Sequence, residues 1–253
     1  MIEPFLFFKH KNLANQAMGL LAQVPRKEEA SLQLSIAMLN IDAGNFDHAE
    51  ESLKQADGMM KPGNPLFGEK EELWGLVYES LGATDQARQH FHRSFEAEPS
   101  RPLPLRKLAE IAAKEQSWKE AAEWMEKFVD TQPPSLGHYW AMLGDYRLAA
   151  EQLDGALKAL QTALDVDPYV FWAHYRMARV FETRNDTENA IKEYEFLMKY
   201  AFDRDPDVYL KLAKMYKDTG RKRDALRVLA KGARILPTNP GIYRLYREVQ
   251  ETE

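Results

Sequence analysis

The chain has 253 residues, of which 45% are hydrophobic and 29% charged, a balance that excludes wholesale disorder and indicates a folded, soluble protein. It contains no cysteine, which rules out disulfides, thiol nucleophiles and thiolate metal sites. The net charge of −5 conceals an asymmetry: residues 211 to 247 sum to +9, whereas residues 1 to 210 sum to −11.

In chain order, the first 29 residues read as an incomplete N-terminal half-repeat or cap. Ala14, Met18 and Leu21 share a helical face and Pro25 ends it, while Pro4 disfavours a helix through the preceding residues. The apolar "FLFF" at 5–8 has three readings: packing against the Ala14 helix, a partner contact, or the stub of a membrane segment lying outside this sequence. No apolar run approaches the ~18 residues that a membrane helix needs.

From residue 30 onward one unit recurs. Ala49, Ala87, Ala121, Ala156, Ala190 and Ala225 follow one another at intervals of 38, 34, 35, 34 and 35, and each carries a similar neighbourhood. Around Ala87, Trp74, Gly75, Tyr78 and Leu81 form a helical stripe closed by Gly82. Phe91 and Ser94 continue the face of Ala87, and Pro99 ends the second helix. The unit is therefore helix, tight turn, helix, proline, with small residues set against bulky ones so that two helices approach closely. The longer first interval falls in "GMMKPGNPLFG", read as a loop between helices that contains Gly58, Gly63 and Gly68. A period in the mid-thirties builds a stack of like units, for which a binding surface is the default function.

The order of leucine, glycine, tyrosine, alanine, bulky residue, alanine and proline resembles the tetratricopeptide repeat (TPR). Leu143, Gly144, Ala156, Leu160, Ala163 and Pro168 carry the resemblance in one unit, and Leu212, Ala213, Tyr216, Gly220, Ala225, Leu229, Gly232 and Pro237 in another. It implies an all-α, right-handed α-solenoid of stacked antiparallel helix pairs, with six repeats over residues 30–239. Residues 240–253 then form a C-terminal capping helix, because Arg247 stands where Gly75, Gly144 and Ala213 stand and no further helix can dock over it.

The resemblance also implies that the first helix of each unit lines a concave groove for a partner peptide or helix. Its register places Leu34, Met38 and Ile41 in the first unit, and Glu69, Glu72, Leu76 and Glu79 in the second. Later units contribute Arg106, His138, Trp172, Tyr175, Arg179 and Lys214 as the partner-binding residues. Trp172, Tyr175 and Arg179 share one helix face and are residue types that commonly anchor partners, with Trp172 packing between units as the alternative. Truncating Tyr175 and Arg179 to alanine is expected to spare folding and weaken binding. The lysine and asparagine that clamp chaperone tails in this family are replaced by pairs such as Leu34/Met38 and Ala141/Asp145, which disfavours that ligand.

A second candidate surface is a basic stripe on the last repeat's second helix: Arg223, Arg227, Lys231 and Arg234, spaced four, four and three. It is a solvated face or a site for an acidic protein or anionic surface, including head-to-tail self-association. The −11 of residues 1–210 disfavours nucleic acid. No GxSxG, GxxxxGK or HExxH occurs, His90 and His92 point to different faces, and paired carboxylates such as Glu71/Glu72 read as solvated. The expectation is a non-enzymatic scaffold that uses no cofactor or metal. The alternative is the interaction module of a larger, membrane-tethered assembly factor or enzyme whose active part lies outside this sequence. The cytoplasm is the expected compartment, with a periplasmic or tethered setting as the other choices.

Overall fold

The computed structural model describes residues 30–60, 63–132, 136–200 and 205–251. The expectations for the Ala14 helix and "FLFF" lie outside the described residues. Among those residues there are thirteen α-helices and no strand, so the fold is the all-α solenoid of helix pairs. Two compact units divide near Gln132.

The first unit holds three antiparallel pairs: α1 (Ala30–Asp42) with α2 (Phe46–Met59), α3 (Phe67–Ser80) with α4 (Thr84–Ala97), and α5 (Pro102–Lys114) with α6 (Trp118–Thr131). Pairs stack in sequence order through α2 on α3, α1 on α3, and α4 on α5. Gly58 and Gly68, expected in a loop, instead lie inside α2 and α3, so the connection is shorter than the glycines suggested.

The second unit repeats the scheme with α7 (Gly137–Ala149) and α8 (Leu153–Val166), α9 (Phe171–Thr183) and α10 (Thr187–Tyr200), and α11 (Pro206–Asp218) and α12 (Lys222–Ile235). A single helix, α13 (Pro240–Glu251), packs on α11 and α12. Its Ile242 and Val249 are buried, whereas Arg247 is exposed.

Each pair turns by the same device. Five residues before each signature alanine, the backbone enters the left-handed region, at Gly44, Gly82, Gln116, Glu151, Asn185 and Gly220, with φ between 58° and 73°. The next amide then reaches back five residues, as from Ala83 N to Tyr78 O at 2.9 Å and from Gln152 N to Arg147 O at 2.8 Å. These are Schellman C-caps, which satisfy the last carbonyls of the first helix and aim the chain into the second.

The pairs close on a size match. All six signature alanines have no accessible surface, nor have the residues four places later: Leu53, Phe91, Met125, Leu160, Tyr194 and Leu229. Facing them on the first helix stand small residues. A Cβ on Gly75 would sit 2.5 Å from the Phe91 ring, and one on Gly144 would sit 2.5 Å from Leu160 Cγ. Glycine is therefore required where the partner is most intrusive, and the rest of each core follows from that close approach.

Candidate functional site

In the second unit the first helices α7, α9 and α11 present a regular pattern of charge. On α9, Arg176 Nε bonds Asp145 Oδ1 of α7 at 2.8 Å, and Glu182 accepts from Lys211 Nζ of α11 at 3.0 Å. On α11, that same Lys211 is followed by Lys217, which pairs with Glu248 of α13. Arg179 lies midway between Arg176 and Glu182, three residues from each, and Lys214 lies midway between Lys211 and Lys217. Both are exposed. Among the described residues neither side chain makes a direct hydrogen bond or ion pair, whereas every flanking charge is matched to the neighbouring helix. A residue three positions from both neighbours shares their face, so the pairs stitch the helices together and leave on each one cation outside a direct pair, Arg179 acting on Asp145 and Lys214 on Glu248 only through the longer-range field.

Beside Arg179 is an open cleft of about 620 Å³ lined by Asp145, Leu148, Leu153, Arg176 and Thr183. Burial holds the Asp145 carboxyl above its usual value, opposed by Arg176 and, more weakly, by Arg179.

Tyr175 and Trp172 serve the joints. The Tyr175 hydroxyl donates to Asp207 Oδ2 of α11 at 2.8 Å, its ring meets Tyr194 edge-on at 6.1 Å, and burial with the Asp207 bond pushes its pKa up to about 12. Trp172 packs half-buried against the α7–α9 core. Truncating Tyr175 together with Arg179 would leave Asp207 without this donor. His138 stands exposed near the start of α7, its ring 3.8 Å from that of Tyr139, and takes no part in the cleft.

On the first unit's face most charges are paired. Arg101 Nε reaches Glu72 at 2.8 Å, Lys107 Nζ reaches Glu79 at 2.7 Å, and Arg106 is held by Glu110 on its own helix. Leu34, placed in the groove by register, is 1% exposed and belongs to the core, while Met38 is 52% exposed. The shift arises because α1 packs on both α2 and α3, which draws Leu34 inward.

The basic stripe lies on α12 opposite its buried Ala225, Val228, Leu229 and Gly232. Arg223 and Arg234 are exposed, Arg227 is held by Asp224 at 2.7 Å, and Lys231 donates to the Met198 carbonyl at 3.3 Å. Of the stripe, Arg227 is thus engaged within its own helix and Lys231 by the neighbouring one.

With these helix pairs on the page, the family model described as tetratricopeptide repeat matches residues 73–135 and 141–195. Those two stretches of the chain are tetratricopeptide repeats. The fold of the chain is similar to the C-terminal part of a TPR protein from Cytophaga hutchinsonii, at 16% identity over 96% of this chain and 97% of that one, with a TM-score of 0.72. YrrB, a TPR protein with an unusual peptide-binding site, superposes with a TM-score of 0.62 at 16% identity, covering 77% of this chain and 97% of its own. MamA from Desulfovibrio magneticus RS-1 gives 0.57 at 21% identity, covering 70% and 97%. Among curated proteins none matches the sequence. Tetratricopeptide repeats are, as a family, protein-interaction modules, and among the described residues no group of His, Asp or Glu is placed to hold a metal ion and no helix is long and apolar enough to cross a membrane.

One cluster in the first unit escaped sequence reading. Glu71, expected in solvent, is 3% exposed and Lys70 is 5% exposed. Lys70 Nζ bonds Asp57 at 2.7 Å and Glu71 at 3.2 Å, and His90 Nδ1 lies 2.7 Å from Glu71. Trp74 Nε1 donates to Asp57 at 3.1 Å, and the rings of Trp74, Tyr78 and His90 stack at 5.2 to 5.9 Å. Burial alone would raise the Glu71 pKa, but the bonds from His90 and Lys70 outweigh it and hold the carboxylate below its ordinary range. The signal in the sequence was the i, i+3 and i, i+4 spacing of Glu71, Trp74 and Tyr78, which puts Glu71 on the buried stripe.

Proposed function

We propose that this chain is a non-catalytic interaction module that takes a partner segment on the first-helix face of its second unit, centred on the cleft beside Arg179. The observation that carries the reading is the pair of exposed cations, Arg179 and Lys214, whose side chains make no direct ion pair on a face whose other charges are paired between helices. A stiff stack offers such groups at fixed spacing, so little ordering entropy is lost on the protein side when a segment docks. YrrB, of the same fold, is described by its peptide-binding site, which supports peptide as the class of ligand.

The test is selection from a displayed random-peptide library on the full chain. Selected peptides are expected to bind the wild type and to lose about tenfold or more in affinity with Arg179→Ala, which is exposed and leaves the helical circular dichroism unchanged. Peptides that bind both proteins equally, or a selection that yields none, would overturn the reading.

A further inference from the structure

We infer that the outward face of α12, continued by α13, docks the chain on an anionic lipid bilayer, at a surface separate from the first-helix face. In the five earlier second helices, the position two before the signature alanine is Asp47, Asp85, Lys119, Asp154 or Glu188, whereas in α12 it is Arg223. Nine after the alanine, Glu96, Asp130 and Asp165 of α4, α6 and α8 give way to Arg234. All of these positions are exposed, so closing a helix pair makes no demand for a cation there. Arg223 and Arg234 are eleven residues apart, three helical turns, which sets them about 16 Å apart on one side of α12. That side is opposite the buried Ala225, Val228, Leu229 and Gly232, and its intervening outward positions are Arg227, Ala230 and Lys231. On α13, Arg244 and Arg247 lie one turn apart and are exposed together with Tyr243, while Ile242 and Val249 hold the other side in the core. The helices adjoin, since α13 packs on α12 and Lys222 Nζ of α12 donates to the Gln250 carbonyl of α13 at 3.1 Å.

Among the described residues Arg223, Arg234, Arg244 and Arg247 make no direct ion pair or hydrogen bond. The carboxylates beside them are spent, Asp224 on Arg221 and Arg227 and Glu248 on Lys217, and exposed Glu251 offsets one charge. A protein partner of ordinary affinity needs an apolar centre to its contact. Among the described residues of α12 and α13, Tyr243, at 43% accessibility, is the one large apolar side chain that is exposed. Nucleic acid wrapped along the chain meets the −11 of residues 1–210. A bilayer instead meets these two terminal helices and presents a continuous layer of phosphate and carboxylate groups, which arginine forks bond without a groove to fit. Tyr243, with an apolar ring and a polar tip, suits the headgroup layer. Binding of this kind is peripheral and driven by charge, with about fivefold in partitioning from each cation near the surface.

The experiment is co-sedimentation of the full chain with vesicles of phosphatidylcholine alone or with about 30% phosphatidylserine, at about 0.1 M salt. Wild type is expected to partition onto the phosphatidylserine vesicles at least about tenfold more than onto the neutral ones, and to be released at about 0.5 M salt. Arg223→Gln with Arg234→Gln, and Arg244→Gln with Arg247→Gln, each lower that partitioning about tenfold or more while helical circular dichroism stays unchanged. The charge-matched pair Lys119→Gln with Lys158→Gln, exposed on α6 and α8, leaves it unchanged. Equal pelleting with both kinds of vesicle, no pelleting with either, or an equal loss in the lysine variant overturns the proposal. So does sedimentation without vesicles that disappears in the Arg223 and Arg234 variant, which assigns the stripe to a second copy of the chain instead.

Discussion

Glu151 holds φ at 59° in the turn between α7 and α8, the conformation that Gly82 and Gly220 adopt at the matching places. A side chain there costs roughly 1 to 2 kcal/mol because Cβ crowds the following carbonyl. The Schellman bonds of that turn persist regardless, so the helix pair over-determines the strain. Glu151→Gly is therefore expected to raise stability by about 1 kcal/mol, read as a rise of a few degrees in Tm; a fall would show that the glutamate side chain contributes more than its backbone costs. Three of these six turns were legible as glycines in the sequence. Gln116, Glu151 and Asn185 were not, because their conformation is imposed by the two helices they join.

At the scale of the helix, the interlock of Gly75 with Phe91 sets how closely α3 and α4 approach. Gly75→Ala puts a methyl group 2.5 Å from a ring held by packing on all sides, and overpacking of this kind costs about 1 to 3 kcal/mol. Adding Phe91→Leu should restore a good part of that loss, since the two sites share one contact; a denaturant midpoint for the double variant below that of Gly75→Ala would disprove the interlock. The same pairing at Gly144 and Leu160 was readable from sequence as alternating small and bulky positions. The functional face was less so. Register put Leu34 in the groove and Glu71 in solvent, and both are buried, because helical spacing gives the direction of a side chain but not how far a neighbouring repeat covers it.

At the scale of the molecule, each unit owes its cohesion to contacts between successive pairs, and in the first unit the buried cluster around Glu71 joins α2, α3 and α4. Because the Glu71 pKa is lower folded than unfolded, its contribution is fully present above the ordinary carboxylate value of 4.5 and is lost as pH falls through the depressed one. Glu71→Gln should lower the protection of α3 and α4 amides against hydrogen exchange by about 2 kcal/mol at neutral pH. The difference from wild type should shrink as the pH drops below 4.5, and a difference that grew on acidification would contradict the assignment.

The period of the alanines, the small residues opposite bulky ones and the prolines after second helices determined the helix pairs and where they interlock, since those depend on local spacing and on steric size alone. Which charges are spent between helices and which remain free was decided only by the tertiary structure. Arg176 and Arg179 are the same residue type three positions apart on one helix. A carboxylate of the neighbouring helix α7 claims the first and leaves the second to solvent, because an ion pair depends on what stands about 3 Å away in space.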